Sequence, residues 1–214
     1  NSLDACEEAR IQPDIRVKIT RIGTSEKQFT MTVEDNGPGI VATQVGNVFG
    51  RLLYGSKFHR LRQSRGQQGI GISAAGMYGL LTTGNPVRVK SKPGKKAQAN
   101  AFEITIDTAK NRPDVVQKPF DWGEKDHGTE VSIDLEGEYR RGQKSVEEFL
   151  KLMAVANPHV YLHYTDPDNN VTEYQRATKE LPQEVEERLR QLQERGRSVM
   201  IVRREGQWLG VIGL

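Results

Sequence analysis

Asp35-Asn36-Gly37-Pro38-Gly39 stands directly after Phe29-Thr30-Met31-Thr32-Val33, a run in which apolar and polar residues alternate as in a strand. A carboxylate at a strand end can accept the exocyclic amino hydrogen of a purine, and the glycines let the backbone turn tightly beside the ring. The same residues also suit an ordinary β-turn. Taken alone, the motif is compatible with a plain turn and with the floor of a nucleotide site.

A second glycine-rich segment, Arg65-Gly66-Gln67-Gln68-Gly69-Ile70-Gly71-Ile72-Ser73, leads into small and apolar residues that predict a buried helix over 70–81. The unpaired N–H groups and the positive end of such a helix favour an anion, so the segment suits phosphate. It matches neither the dinucleotide fingerprint nor the Gly-Lys-Ser/Thr phosphate loop. The alternative is a flexible loop that enters a packed helix.

A third segment, Asp126-His127-Gly128-Thr129-Glu130-Val131, reads as a turn into a strand. Thr129 could place its hydroxyl near a base or a bound water, and Gly128 permits close approach of the backbone. Without a ligand, the same residues are ordinary chemistry for the start of a strand.

The remaining pattern predicts an α/β fold, an α+β sandwich in which a mixed sheet is covered by helices on one face. A helix over 1–10 ends before Pro13, and Ser145 is placed to cap a helix that runs to Ala156. The expected strands are 15–19, 29–33, 86–90, 100–106, 129–135, 160–164 and 171–174.

Composition limits the class of protein. The chain has 214 residues, 36% hydrophobic and 28% charged, which describes a soluble globular protein. Its net charge of +3 is too small to imply nucleic-acid binding by the whole surface. The single cysteine, Cys6, excludes an internal disulfide framework, and no apolar run approaches the roughly 20 residues that span a bilayer. We therefore expect a cytoplasmic protein.

The character of the sequence changes after about residue 182. A charged helix over 185–194 and two strands, 198–202 and 208–212, are expected there. We therefore predict a main domain over 1–182 and an appendage over 183–214. The appendage faintly resembles the last helix and hairpin of the nucleotide-binding domain in metal-transporting P-type ATPases. The alternative is a helix and β-hairpin without a separate activity.

Four segments occur in the order and spacing of one known family: 1–5, 35–39, 66–73 and 127–131. The chain resembles the GHKL, or Bergerat, ATP-binding fold of gyrase, the ninety-kilodalton heat-shock chaperone, MutL and histidine kinases. Within that group, 1–5, 51–58 and 66–75 look like the B subunit of DNA topoisomerase VI, which is a type IIB DNA topoisomerase. The similarity extends to about residue 182.

The resemblance implies that the site binds ATP with Mg²⁺. Asn1 would be the magnesium ligand, Asp35 the adenine-reading carboxylate, and Gly39 would lie against the base, with support from Thr129. Lys57 would reach phosphate or remain a solvated charge. The residues implied to wrap the phosphates are Gly66, Gln67, Gln68, Gly69, Ile70 and Gly71.

The match also departs from the family. Its general base is a glutamate one helical turn before the magnesium-binding asparagine, and this sequence starts at the asparagine. Glu7 and Glu8 would point the other way along the helix, so neither is a substitute. The family's transducer lysine has no counterpart either. We therefore expect a truncated start, no catalytic residue within the chain, weak nucleotide binding and poor hydrolysis.

The function implied is the ATPase domain of a type II DNA topoisomerase. ATP binding would drive homodimerisation and gate DNA strand passage, and a partner like the A subunit of topoisomerase VI would cleave the DNA. The alternative is a catalytically deficient nucleotide-sensing or scaffold module, with a histidine kinase as a third choice. Five positive residues around one turn are either a DNA contact or a soluble hairpin tip: Arg88, Lys90, Lys92, Lys95 and Lys96.

Overall fold

The computed structural model describes residues 1–51, 70–107, 112–184, 187, 190–191, 199–204 and 207–213. Its helices are α1 (Ser2–Glu8), α2 (Ala42–Gly50), α3 (Gly71–Thr83) and α4 (Val146–Ala156). Its strands are β1 (Asp14–Arg21), β2 (Gln28–Asp35), β3 (Val87–Lys92), β4 (Asn100–Asp107), β5 (Arg112–Pro119), β6 (Gly128–Glu136), β7 (Tyr161–Thr165), β8 (Val171–Tyr174), β9 (Val199–Arg204) and β10 (Gln207–Gly213). No helix in these ranges is long and apolar enough to cross a membrane.

Eight strands form one sheet in the order β5-β4-β3-β6-β2-β1-β7-β8. Neighbours are antiparallel except β1 and β7, which are parallel, so the predicted mixed sheet is confirmed. β9 and β10 form a separate antiparallel pair, as expected from the sequence. The division at residue 182 stays a prediction.

The helices cover one face of the sheet because the apolar residues alternate toward it. In β1, Ile15, Val17 and Ile19 are buried, whereas Arg16 and Lys18 between them are exposed. The same alternation continues across β3, β4 and β7, which contribute half of the remaining buried residues of the two core clusters. The predicted sandwich with helices on one face is therefore confirmed.

α2 and β5 were missed in the sequence. α2 contains two glycines, and its end packs Gly50 against the side chain of Pro113. β5 begins and ends with Arg-Pro and Lys-Pro pairs and is an exposed edge strand, so it lacks the buried alternation that identifies inner strands. In contrast, the predicted cap of α4 is present, since Ser145 Oγ accepts the Glu148 N–H at 3.1 Å.

The prediction that 70–81 forms a buried helix is wrong in one respect. α3 is helical, but Tyr78 is 52% exposed and Leu81 is 76% exposed. The fully buried residues of α3 are all small, namely Ser73, Gly76 and Gly79, and Ile72 packs against the core while partly buried. A Cβ at Gly79 would lie 2.6 Å from the backbone oxygen of Asp134, so glycine allows α3 to approach β6 this closely.

The opposite face of the sheet is polar, and a buried carboxylate organises its centre. Asp134 of β6 receives two hydrogen bonds from Arg88, at 2.6 and 2.9 Å, and one from Thr30 at 2.6 Å. These donors, led by Arg88, lower the pKa of Asp134 to about 2. Since the folded pKa lies below the ordinary value, ionised Asp134 stabilises the fold above pH 4, and this contribution is lost as the pH falls toward 2.

We expect Asp134→Asn to lower the free energy of unfolding at pH 7 by about 2 kcal/mol, the equivalent of the pKa shift. In denaturant titrations, the difference from the parent should shrink as the pH falls from 4 to 2. Glu138→Gln is the matched control, because Glu138 pairs with Arg140 in solvent. The role of Asp134 would be contradicted if the difference in the free energy of unfolding stayed constant with pH, or if Glu138→Gln lowered that free energy equally.

Candidate nucleotide site

Asp35 is the last residue of β2 and lies opposite Ile15 of β1 and Thr129 of β6. Because Ile15 and Thr129 are buried under the helices, the Asp35 side chain lies on the same face. One carboxylate oxygen accepts the Gly37 N–H at 3.0 Å, and the Ser2 hydroxyl also donates to the group. Burial raises the pKa of Asp35, and these hydrogen bonds oppose that shift.

Two glycines let the Asp35 turn close against neighbouring backbone. Gly39 has φ +71°, and a Cβ there would collide with the backbone oxygen of Lys92. Gly128 has φ +145°, and a Cβ there would collide with the backbone oxygen of Asp35. His127 adds a hydrogen bond between its Nδ1 and the Gly37 oxygen, at 2.8 Å. The structure therefore brings together two of the predicted segments, 35–39 and 127–131.

Asn36 has a role that was not inferred from the sequence. Its side-chain oxygen accepts the Asp14 N–H at 2.9 Å, and its side-chain nitrogen donates to the Gln12 oxygen at 3.0 Å. The Cys6 thiol lies 3.6 Å from the same oxygen, and burial raises its pKa to about 12. Through these hydrogen bonds, Asn36 links the turn to the segment that connects α1 and β1. An asparagine before glycine indicates a turn and carries no signal for these distant partners.

α1 brings its first residues to this turn. Asn1 is the N-cap of α1, but its side chain makes no capping hydrogen bond, and Ser2 reaches Asp35. An exposed amide oxygen at this position suits a hard cation such as Mg²⁺. Glu7 lies at the other end of α1, where its carboxylate is 2.7 Å from His159 Nε2. The Glu7 carboxylate is thus engaged with a buried histidine.

The start of α3 is placed by α2. Gly79, in the second half of α3, lies against Asp134 of β6. Nearer the start of the helix, Ser73 Oγ donates to the oxygen of Arg51, the residue that follows α2, at 3.2 Å. The helix therefore begins beside the end of α2.

This helix start has the properties of an anion site. Ile70 is the N-cap, is 37% exposed, and has no side-chain group that could cap the helix. Among the described residues, no atom lies within 4 Å of a Cβ built at Gly71. The first N–H groups of a helix are suited to phosphate oxygens. Five residues predicted to assist lie outside the described residues: Lys57, Gly66, Gln67, Gln68 and Gly69.

A metal site built from protein side chains alone is not found in the described part of the chain. There, no group of three or more His, Cys, Asp or Glu residues is arranged to hold a metal ion. An amide oxygen such as that of Asn1 can share Mg²⁺ with phosphate oxygens and water. Ions of this kind are typically shared with a bound nucleotide.

A mixed sheet covered by helices on one face, with a half-buried carboxylate at the end of an inner strand, is the architecture of a two-layer α/β ATPase domain of the GHKL type. A family model described as Histidine kinase-, DNA gyrase B-, and HSP90-like ATPase matches residues 1–110. The chain belongs to this family. The aligned region contains Asn1, Asp35, Gly39 and the start of α3.

Among curated proteins, the chain is similar to the B subunit of type 2 DNA topoisomerase 6 from several archaea. The protein of Methanosarcina acetivorans is 46% identical over 189 residues, which cover 87% of this chain and 30% of the relative. That of Methanococcoides burtonii is 48% identical over 184 residues, which cover 85% and 29%. The chain thus spans about 30% of the length of the curated relatives it matches.

Among solved structures, the chain is similar to the Aquifex aeolicus MutL ATPase domain complexed with ADP. The TM-score is 0.50 at 15% identity, and the match covers 94% of this chain and 68% of that one. At this identity the likeness concerns the fold alone, and it agrees with the expected GHKL fold.

We expect Gly71→Ala to weaken binding of ATP more than binding of adenosine, because the new methyl group enters the phosphate space and leaves the base untouched. The fold should tolerate it, since no atom of the described part of the chain lies within 4 Å of the new Cβ. Gly137→Ala is the control, because its Cβ would make only an ordinary contact with Leu135 at 3.6 Å. Calorimetry with both ligands tests this, and an unchanged ATP affinity would favour the plain-loop interpretation.

Proposed function

We propose that this chain binds ATP through the Asp35 carboxylate and serves as the ATPase domain of a type II DNA topoisomerase similar to the B subunit of topoisomerase VI. The observation that carries the proposal is the half-buried Asp35, which faces the helix layer beside Thr129 at the end of β2. Burial disfavours the charged carboxylate, so a ligand that donates a hydrogen bond to it is favoured. The exocyclic amino group of adenine is such a donor.

The resemblance to the family extends the proposal to the rest of the nucleotide. Adenine would lie over Asp35 with Gly39 and Thr129 beside it, and the triphosphate would extend to the N-terminus of α3. Asn1 would contribute one oxygen to Mg²⁺, which when bound would screen the phosphate charge. No catalytic residue is proposed among the 214 residues, and the glutamate implied by the family resemblance would precede Asn1.

The wider activity is proposed from the similarity to the B subunit of topoisomerase 6. In the whole protein, ATP binding would bring two copies of the chain together, and this dimerisation would gate the passage of one DNA duplex through another. A partner similar to the A subunit of topoisomerase VI would cleave the DNA. These relatives favour the ATPase over a sensing or scaffold module of the same fold.

The hairpin between β3 and β4 is not proposed as a DNA contact, because most of its positive residues have partners within the protein. Arg88 is engaged with Asp134, Lys90 with Glu130 at 2.7 Å, and Lys92 donates to the Lys125 oxygen at 2.6 Å. Lys95 lies 3.6 Å from Asp126. Because these positive groups already have acidic or carbonyl partners, the soluble-tip interpretation is favoured over a phosphate-binding surface.

We expect Asp35→Asn to weaken binding of ATP about 10-fold to 100-fold and binding of GTP less, because a charge-assisted hydrogen bond is worth about 1.5–3 kcal/mol. Asp121→Asn is a matched control: Asp121 accepts the Gly123 N–H at 2.9 Å, the same local bond that Asp35 makes to Gly37. Calorimetry with both nucleotides measures the effect. Equal losses for ATP and GTP, or the same loss in the control, would sink the proposed role.

The hairpin is tested by changing its four lysines to glutamine and leaving Arg88 in place, so that buried Asp134 keeps its partner. We expect duplex affinity and its dependence on salt to equal those of the parent in fluorescence titrations. If the lysines bind DNA, the log–log salt slope should fall by about 0.9 for each phosphate that they no longer neutralise. Such a fall would place the hairpin in the DNA path. The substituted residues are Lys90, Lys92, Lys95 and Lys96.

A further inference from the structure

Ser91 is a polar residue in a core position. β3 turns Val87, Val89 and Ser91 toward the helices, and Ser91 is 1% exposed. Its strand neighbours are Asn100 in β4 and Thr129 in β6. Burial of a hydroxyl is unfavourable unless the group is hydrogen-bonded. The hydrogen bonds of Ser91 are therefore the feature that distinguishes it from an apolar residue at this position.

These bonds join two segments of the nucleotide site. Ser91 Oγ accepts the Ile40 N–H at 2.7 Å, and it lies 3.2 Å from the Ile40 oxygen and 3.4 Å from the Gly128 oxygen. The hydroxyl has a single hydrogen, so it donates fully to one of these oxygens at a time or shares it between them. Ile40 follows Gly39 directly, and Gly128 directly precedes Thr129.

Around Ser91, two backbone contacts are so close that only glycine fits at them. The Asp35 turn rests on the end of β3, where a Cβ on Gly39 would lie 2.9 Å from the Pro93 Cα. The start of β6 rests on the Asp35 backbone in the same manner, at Gly128. Loss of the Ser91 hydroxyl would leave the Ile40 N–H buried without this acceptor, and a small movement of the turn would change the shape of the base site.

We infer that Ser91 is a positioning residue for adenine recognition, which holds the Gly37–Ile40 turn at a fixed distance from Thr129. The inference rests on the proposed function, since it assigns a determinant of base recognition to the same site. Ser91 acts through the backbone of Ile40 and Gly128 and does not itself contact the nucleotide. Removal of the Ser91 hydroxyl should therefore weaken binding of the adenine base and leave binding of the phosphates unchanged.

The test is Ser91→Ala in the full chain, with adenosine and inorganic tripolyphosphate as separate probes in calorimetry. We expect adenosine affinity to fall about tenfold, the size of one lost buried hydrogen bond, and tripolyphosphate affinity to stay the same. Ser132→Ala is the matched control. Ser132 lies one strand away on the polar face, where its hydroxyl is 2.9 Å from that of Thr32, and neither affinity should change.

A general loss of folded protein would lower both affinities together, so equal losses would overturn the inference. Unchanged adenosine binding would overturn it as well. Binding of neither probe by the unsubstituted chain would instead contradict the proposed function.

Amide hydrogen exchange in the unsubstituted chain gives a second measurement, which does not depend on the folding of Ser91→Ala. The Ile40 N–H is expected to exchange slowly and to become slower when adenosine is added, because the bond to Ser91 and the closure of the turn both protect it. Exchange at the rate of an exposed amide, or exchange that adenosine does not alter, would contradict the positioning role.

Discussion

The close contact between the first residue of β6 and the Asp35 turn is the constraint on which the site depends. Only a residue without a side chain fits at Gly128, because a Cβ would overlap the Asp35 backbone oxygen. This contact places Asp35 beside Thr129 on the covered face of the sheet. The turn then folds back over the end of β3, and α1 begins beside it, where Ser2 reaches Asp35. The nucleotide site is thus a product of backbone packing rather than of one loop.

The electrostatics of the two sheet faces differ for a physical reason. On the polar face, Asp134 is surrounded by donors, and its pKa is lowered, so its charge stabilises the fold. On the covered face, burial raises the pKa of Asp35, so its charge is maintained at a cost. A ligand that donates to Asp35 relieves that cost. The Asp134 carboxylate therefore stabilises the fold, and the Asp35 carboxylate is suited to ligand binding.

Much of the fold could be predicted from the sequence, because inner strands and capped helices leave local patterns. Local sequence was sufficient to predict the strands β1 and β2 from their alternation, the start of α4 from the cap at Ser145, and the Asp-Asn-Gly-Pro-Gly turn. β5 was missed because an exposed edge strand with prolines lacks that alternation. α3 was expected to be buried, but its fully buried residues are small ones, two of them glycines, and its Tyr78 and Leu81 are exposed. Asn36 and Ser91 could not be assigned, since their partners lie far away in the sequence.

The proposed role of Asp35 is to accept a hydrogen bond from the exocyclic amino group of adenine. The most direct measurement compares ATP with purine riboside triphosphate, which carries hydrogen in place of that amino group, by calorimetry on the unsubstituted chain. We expect ATP to bind about 10-fold to 100-fold more tightly, the value of a charge-assisted hydrogen bond. Equal affinities for the two nucleotides would contradict it.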